Sequence, residues 1–201
     1  MSEIRTIIFD LSEVLIAGLF GIEGPLAELL GVPRSTVLPA FGGSLLDDLC
    51  RARLTEDEYL VRIISRQGWH TAPARLKPVI RRNFHRRVAG MQPVVDRLKL
   101  RYELVLLSDH AREWIAYIQE VHSVFSAFGA LFFSYELGQT KSDPTTFARV
   151  LDQLGQTAER CLFVDDSERN VASARSAGID GVRFADATQL VRTLRRKGLD
   201  V

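Results

Sequence analysis

The chain has 201 residues, of which 46% are hydrophobic and 25% charged, with 26 basic against 25 acidic side chains and a net charge of +1. This suits one soluble globular unit or a core domain with a smaller insert, and excludes disordered and fibrous classes. The near balance of charge leaves no global field to recruit nucleic acid or an anionic membrane surface, so any preference for phosphate must be local.

The first element is "TIIFD" (6–10), a β-branched and aromatic run that ends on an acid. The segment before it, "MSEIR", together with "TIIFDLSE", lacks a basic head followed by an apolar stretch and a cleavage site. No uninterrupted apolar run approaches the roughly 18 residues of a membrane span. The expectation is a cytoplasmic protein with no membrane partner.

Residues 17–88 contain no strand-like run and read as helices punctuated by Gly and Pro: 25–31, 34–41, 44–52, 55–68 and 72–87. Thr55 with Glu58 forms a capping-box pattern, which makes that helix start the firmest. Gly18, Gly21 and Gly24 on one side and Gly90 on the other flank the block where a hinge would lie. Their spacing is no dinucleotide fingerprint, because it does not join a strand directly to a helix.

Beyond the block the rhythm is strand and helix in alternation. "PVVDRLKL" (93–100) reads as helix, "YELVLLSD" (102–109) as strand, "AREWIAYIQEV" (111–121) as helix and "ALFFS" (130–134) as strand. "DPTTFARVLDQLG" (143–155) is helical, "CLFVDD" (161–166) is a strand ending on paired acids, and "SERNVASARSAG" (167–178) is again helical. Near-continuous apolar strands belong in a parallel sheet covered on both faces, and strand alternating with helix implies an open α/β sheet with right-handed crossovers. The fold class is therefore α/β, a Rossmann-like open parallel sheet core (1–16 and 89–201) carrying a small α-helical cap domain (17–88).

In such sheets ligands bind beyond the carboxyl ends of the strands. Asp10, Ser108, Asp109, Asp165 and Asp166 all fall there, and Lys141 follows the third strand. A carboxylate can attack phosphorus when a metal and positive donors offset the repulsion between two anions. Mg²⁺ takes oxygen ligands, usually a few carboxylates with water and substrate phosphate. Asp10 with Asp165 or Asp166 can supply them.

This set resembles the haloacid dehalogenase superfamily of hydrolases, with four motifs in order: "FDLSEV", "LLSD", "GQTKSDP" and "FVDDSERNVASARSAGI". Carried over by position, the resemblance makes Asp10 the nucleophile and a metal ligand, with the backbone carbonyl of Ser12 as a second ligand. Ser108 would hydrogen-bond the transferring phosphoryl group, Lys141 would neutralise nucleophile and phosphate, and Asp165 and Asp166 would hold Mg²⁺. Ser108, Asp109 and Lys141 form the expected substrate-binding set. The resemblance also implies a small phosphorylated metabolite as partner, and substrate choice in the cap.

Two departures stand out. Ser142 replaces the family's usual proline after the lysine, and Ser12 replaces an aspartate that protonates the leaving oxygen and later activates water. A serine hydroxyl titrates far too high for that work, which is worth about 10² to 10⁴ in rate, or roughly 3–5 kcal/mol of barrier. Glu13 is no evident substitute, because neighbouring side chains at a strand end point in opposite directions. The leading reading is a phosphatase that is slow, or one whose leaving groups need little protonation, such as sugar 1-phosphates, acyl phosphates or aryl phosphates. A non-catalytic phosphate- and metal-binding regulatory protein is the alternative. A 2-haloacid dehalogenase, which needs no metal, would leave the paired acids unexplained.

Weaker signals point to structure. Cys50 and Cys161 are far apart and read as buried free thiols. Arg81, Arg82, Arg86 and Arg87 around His85 read as a solvated helix face, and His110 as an exposed residue at a helix start. Trp69 and Trp114 suit packing, and the histidines show no zinc spacing.

Overall fold

A computed structural model describes residues 3–201. Five strands, β1 (Thr6–Phe9), β2 (Glu103–Ser108), β3 (Ala130–Phe133), β4 (Cys161–Asp165) and β5 (Asp180–Arg183), form one sheet in the order β3-β2-β1-β4-β5. Every neighbouring pair is parallel. The alternation of side chains explains why these runs are apolar throughout. Ile7, Phe9, Leu104, Leu106, Leu162 and Val164 face one hydrophobic cluster. Ile8, Val105, Leu107, Cys161 and Phe163 face the other. Burial of such a side chain contributes about 1.5–3 kcal/mol, so both faces must be covered.

Helices α1 (Glu23–Leu30), α2 (Arg34–Phe41), α3 (Ser44–Cys50), α4 (Glu56–Gln67) and α5 (Pro73–Phe84) lie between β1 and β2 in the chain. They are followed by α6 (Met91–Leu98), α7 (Arg112–Val121), α8 (Ser134–Leu137), α9 (Pro144–Leu154), α10 (Glu168–Ser176) and α11 (Ala187–Arg196). Val95 and Leu98 of α6, Ile115 of α7 and Leu190 of α11 cover the first face. Phe147 and Val150 of α9 and Ala174 of α10 cover the second. Phe147 meets Phe163 of β4 edge-on, with ring centroids 5.0 Å apart.

The four expected strands and the helices between them are present. β5, α11 and the four-residue α8 are additional. β5 is an edge strand of four residues in which only Gly181 and Val182 are buried, so it has no apolar run to announce it. The helix expected over 72–87 stops at Phe84 for a physical reason: the following backbone pairs elsewhere. The Ala17 amide donates to the Arg86 carbonyl at 2.8 Å, and the Val88 amide donates to the Leu15 carbonyl at 3.0 Å. These two adjacent crossings join the helical insert to the sheet. Of the flanking glycines, Gly21 and Gly90 hold positive φ (108° and 78°). Gly18 answers to a different demand, because a Cβ there would sit 2.8 Å from the Ser12 Cβ.

In α4, Thr55 accepts from the Glu58 amide while the Glu58 carboxylate accepts from the Thr55 amide, the reciprocal cap the sequence suggests. Insert and sheet share one hydrophobic cluster, which contains Phe41 and Tyr59 as well as Phe9 and Leu106. A polar tie runs through Glu56, which is 1% exposed. Its carboxylate accepts from Trp114 Nε1 of α7 and Arg81 Nη2 of α5, both at 2.8 Å. Both cysteines are free and buried. No helix among the described residues is long and apolar enough to cross a membrane.

Candidate active site

The sheet order changes direction at β1: the chain runs outward through β2 and β3, then returns to add β4 and β5 on the other side. A crevice opens at such a switch point beyond the strand ends. Phe9 is level with Leu106 of β2 and Val164 of β4, so the next residue, Asp10, comes level with Asp165 and is one step short of Ser108. The Asp10 amide still donates to the Val164 carbonyl at 2.9 Å, which fixes its backbone to the sheet while its side chain stands free of the ladder.

Lys141 reaches this point from the loop after α8. Its Nζ lies 2.6 Å from Asp10 Oδ1 and 2.7 Å from Asp165 Oδ2, and the residue is only 1% exposed. Asp10 Oδ1 also accepts from the Leu11 amide at 2.7 Å, while Oδ2 takes no donor among the described residues. One carboxylate oxygen each from Asp10, Asp165 and Asp166 lie within 4.8 Å of one another. Burial pushes the Asp10 carboxyl well above the usual carboxylate range; Lys141 opposes that rise, and Asp165 and Asp166 add to it. Burial likewise raises Asp166, with repulsion from Asp165 second. Burial works against the Lys141 cation, but Asp10, Asp165 and Asp109 outweigh it and hold the ammonium above its ordinary range.

Asp109 spends both oxygens on the Lys141 amide, at 3.0 and 3.1 Å, and so anchors the lysine loop to the end of β2. Burial pushes its carboxyl up to about 6. Ser108 Oγ is fully buried with no hydrogen-bond partner among the described residues. An orphaned hydroxyl of this kind costs free energy unless a ligand satisfies it. Asp165 is held by the Ser167 amide at 2.8 Å and by Asn170 Nδ2 at 3.2 Å. Asn170 was not among the sequence candidates. Its signal was its position three residues after the Ser167 helix cap, one turn from the paired acids.

Ser12 lines a cavity beside the cluster. Glu13 takes a positive φ of 61°, and its Oε1 accepts from the amides of Gly18 and Phe20 at 2.8 and 3.1 Å. It is therefore tied to the loop that leads into the insert, and burial raises its carboxyl above the usual range.

His110 corrects the sequence expectation. It is 3% exposed rather than exposed, because its ring packs against Phe84 and Trp114 with centroids 5.5 Å from each. Desolvation lowers its pKa to about 3 and keeps the imidazole neutral. Of the basic run, Arg82, His85, Arg86 and Arg87 are exposed. Arg81 is instead bound to Glu56 and lies over the Tyr117 ring, with 5.2 Å from its guanidinium carbon to the ring centroid.

Residues 4–178 match the family model described as haloacid dehalogenase-like hydrolase. The chain belongs to this family. Among curated relatives, a sesquiterpene phosphatase of Aspergillus oryzae is 30% identical over 79 residues, covering 39% of this chain and 40% of the relative. The matched segment thus spans well under half of that relative's length. Among solved structures, a predicted hydrolase of the same family from Porphyromonas gingivalis superposes with a TM-score of 0.79 at 21% identity, covering 100% of both chains. A family enzyme from Bacteroides thetaiotaomicron, solved with magnesium and inorganic phosphate, gives 0.73 at 19% identity, covering 91% of this chain and 95% of its own. The family model carries the hydrolase family assignment, and the solved structures show the α/β fold.

Proposed function

We propose that the protein is a Mg²⁺-dependent phosphatase acting on a small phosphomonoester through a phosphorylated Asp10. The observation that carries this reading is the Lys141 ammonium buried between Asp10 and Asp165, with Asp166 and Asp109 beside it. Four carboxylates against one ammonium leave an excess of buried negative charge, which a divalent cation offsets. Asp10, Asp165 and Asp166, with the Ser12 carbonyl, would hold Mg²⁺, and the bound ion would reduce the repulsion between the Asp10 carboxylate and an incoming phosphate. The relative named as a phosphatase and the neighbour solved with magnesium and phosphate support the same chemistry.

In this reading Asp10 Oδ2 attacks phosphorus, since Oδ1 is occupied by Lys141 and the Leu11 amide. The Lys141 ammonium compensates the charge of the nucleophile, and the Ser108 hydroxyl donates to a phosphoryl oxygen. Water then cleaves the acyl phosphate and restores the carboxylate. The helices of 17–88 act as the cap that shapes the space around the leaving group. A second reading, a phosphate- and metal-binding protein without turnover, is favoured by Ser12 and by Ser142 after the lysine. Hydrolysis of acetyl phosphate, measured with and without Mg²⁺ on wild-type protein and Asp10→Asn, decides between them. Metal-dependent turnover lost in the variant supports the phosphatase; no turnover by folded wild-type protein leaves the binding reading.

A further inference from the structure

A cavity of about 360 Å³ opens off the cluster between the sheet end and the insert, within the roughly 300–1,000 Å³ typical of small-molecule sites. Its floor is Ser12, Asp109 and Thr140, the immediate surroundings of Asp10, Ser108 and Lys141. Its walls are Leu38 and Phe41 of α2, Leu46 of α3, Phe84 of α5 and Trp114 of α7. Phe20, which is 57% exposed, extends the apolar wall to the rim. No lysine or arginine lines the cavity among the described residues, while Glu13, Asp47 and Asp109 do. A second phosphate or a carboxylate on the substrate would meet repulsion there, and sugar hydroxyls set against the apolar walls would lose water without a partner. The walls accept an apolar body, and the aromatic rings among them favour a flat one.

Ser12 narrows the choice from the other side. With a serine two residues after the nucleophile, and Glu13 Oε1 taken by the Gly18 and Phe20 amides, the site favours a leaving group that departs as a stable anion. A phenol titrates near 10, the tyrosine value, whereas an alkanol titrates far higher, so the phenolate leaves much more readily. A phenol meets both constraints, with a flat apolar body and an oxygen that leaves as a stable anion.

Resting on the phosphatase reading above, we propose that the substrates are aryl phosphates, monoesters of a phenol whose ring occupies this cavity. Asp10 Oδ2 attacks phosphorus, the P–O(aryl) bond breaks with its electron pair on oxygen, and the phenolate leaves into the cavity and takes a proton from water. Attack of water on the acyl phosphate returns the electron pair to Asp10, so that aryl phosphate and water give phenol and inorganic phosphate.

Turnover of 2-naphthyl phosphate, octyl phosphate, glucose 1-phosphate and acetyl phosphate tests this directly in the presence of Mg²⁺. Acetyl phosphate has a good leaving group and no apolar body, so it reads the phosphoryl-transfer machinery without the cavity. The expected kcat/KM for 2-naphthyl phosphate exceeds that for octyl and glucose phosphates by about 10² or more, the value of a missing general acid. Leu46→Asn and Phe20→Ala, the second at an exposed side chain that carries no core packing, should lower kcat/KM for 2-naphthyl phosphate by about 10-fold or more. Both should leave acetyl phosphate within about twofold, since neither touches Asp10 or Lys141. Octyl or glucose phosphate matching the naphthyl ester, or variants that slow acetyl phosphate equally, would overturn the aryl assignment while the phosphatase stands. No turnover of any of the four overturns both.

Discussion

Lys141→Met removes the one cation between Asp10 and Asp165, and the cost can be worked from the geometry. Both ion pairs are buried, with Nζ at 2.6 and 2.7 Å from its partners. Removing one member of a buried pair costs about 3–5 kcal/mol, because the remaining charge has lost its solvent and its partner. The penalty has a ceiling. Asp165 retains donors from Ser167 and Asn170, so Asp10 is the group that escapes by taking a proton. Protonating a carboxyl with an ordinary pKa of 3.8 costs about 1.36 kcal/mol per pH unit, or roughly 4.4 kcal/mol at pH 7 and 1.6 at pH 5, and because burial already raises Asp10 in the wild-type protein these are upper limits to the loss. The sign follows: losing Lys141 lifts the folded pKa of Asp10 above its already raised wild-type value, so the deficit of the variant grows as pH rises. Urea unfolding with chelator present should show a loss of up to about 4.4 kcal/mol at pH 7, shrinking to about 1.6 kcal/mol or less at pH 5. In a chain of this size that is up to roughly 18 °C of Tm at pH 7. A loss below 1 kcal/mol at pH 7, or one equally large at pH 5, would refute the picture of a lysine holding two buried anions.

Ser12→Asp should raise turnover of alkyl phosphates by up to about 10²-fold and of p-nitrophenyl phosphate much less, because only the former need a proton on the leaving oxygen. Equal gains on both would remove the explanation given for Ser12. His110, neutral when folded with a pKa of about 3, must bind a proton on unfolding below its ordinary 6.5, so its contribution to stability is lost as pH falls from 6.5 toward 3. At pH 5 this amounts to about 2 kcal/mol, and His110→Phe should flatten the acid limb of the unfolding free energy by that amount; parallel limbs in the two proteins would contradict it. Glu56→Ala strands Arg81 and the Trp114 N–H, and should cost about 3–5 kcal/mol by thermal unfolding; a cost under 1 would show that this tie is not structural.

The order of strands and helices was legible because each central strand is buried on both faces and so carries an unbroken apolar run, as in "IIF" and "LVLL". β5 escaped because an edge strand with two buried residues leaves no such trace. α11 did carry a signal, Leu190 and Leu194 one turn apart behind the Asp186 cap. Asp10, Asp165 and Asp166 were legible as a set because parallel strands end on one side of a sheet, whatever the loops between them do. His110 and Asn170 were not, since their roles come from contacts across the fold: one fills a space between Phe84 and Trp114, the other steadies a carboxylate from a neighbouring turn. The cavity walls were equally hidden, being assembled from α2, α3, α5 and α7, which are distant in sequence.

Chemical trapping of the phosphorylated residue bears most directly on the central claim. Protein turning over acetyl phosphate with Mg²⁺ is quenched in acid and reduced with borohydride, which converts an acyl phosphate on aspartate to homoserine, and the site is then located by peptide mass spectrometry. Homoserine at position 10, absent when substrate or Mg²⁺ is left out, is the predicted result. Turnover with an unmodified position 10, or with the label on another acid, would contradict Asp10 as the nucleophile.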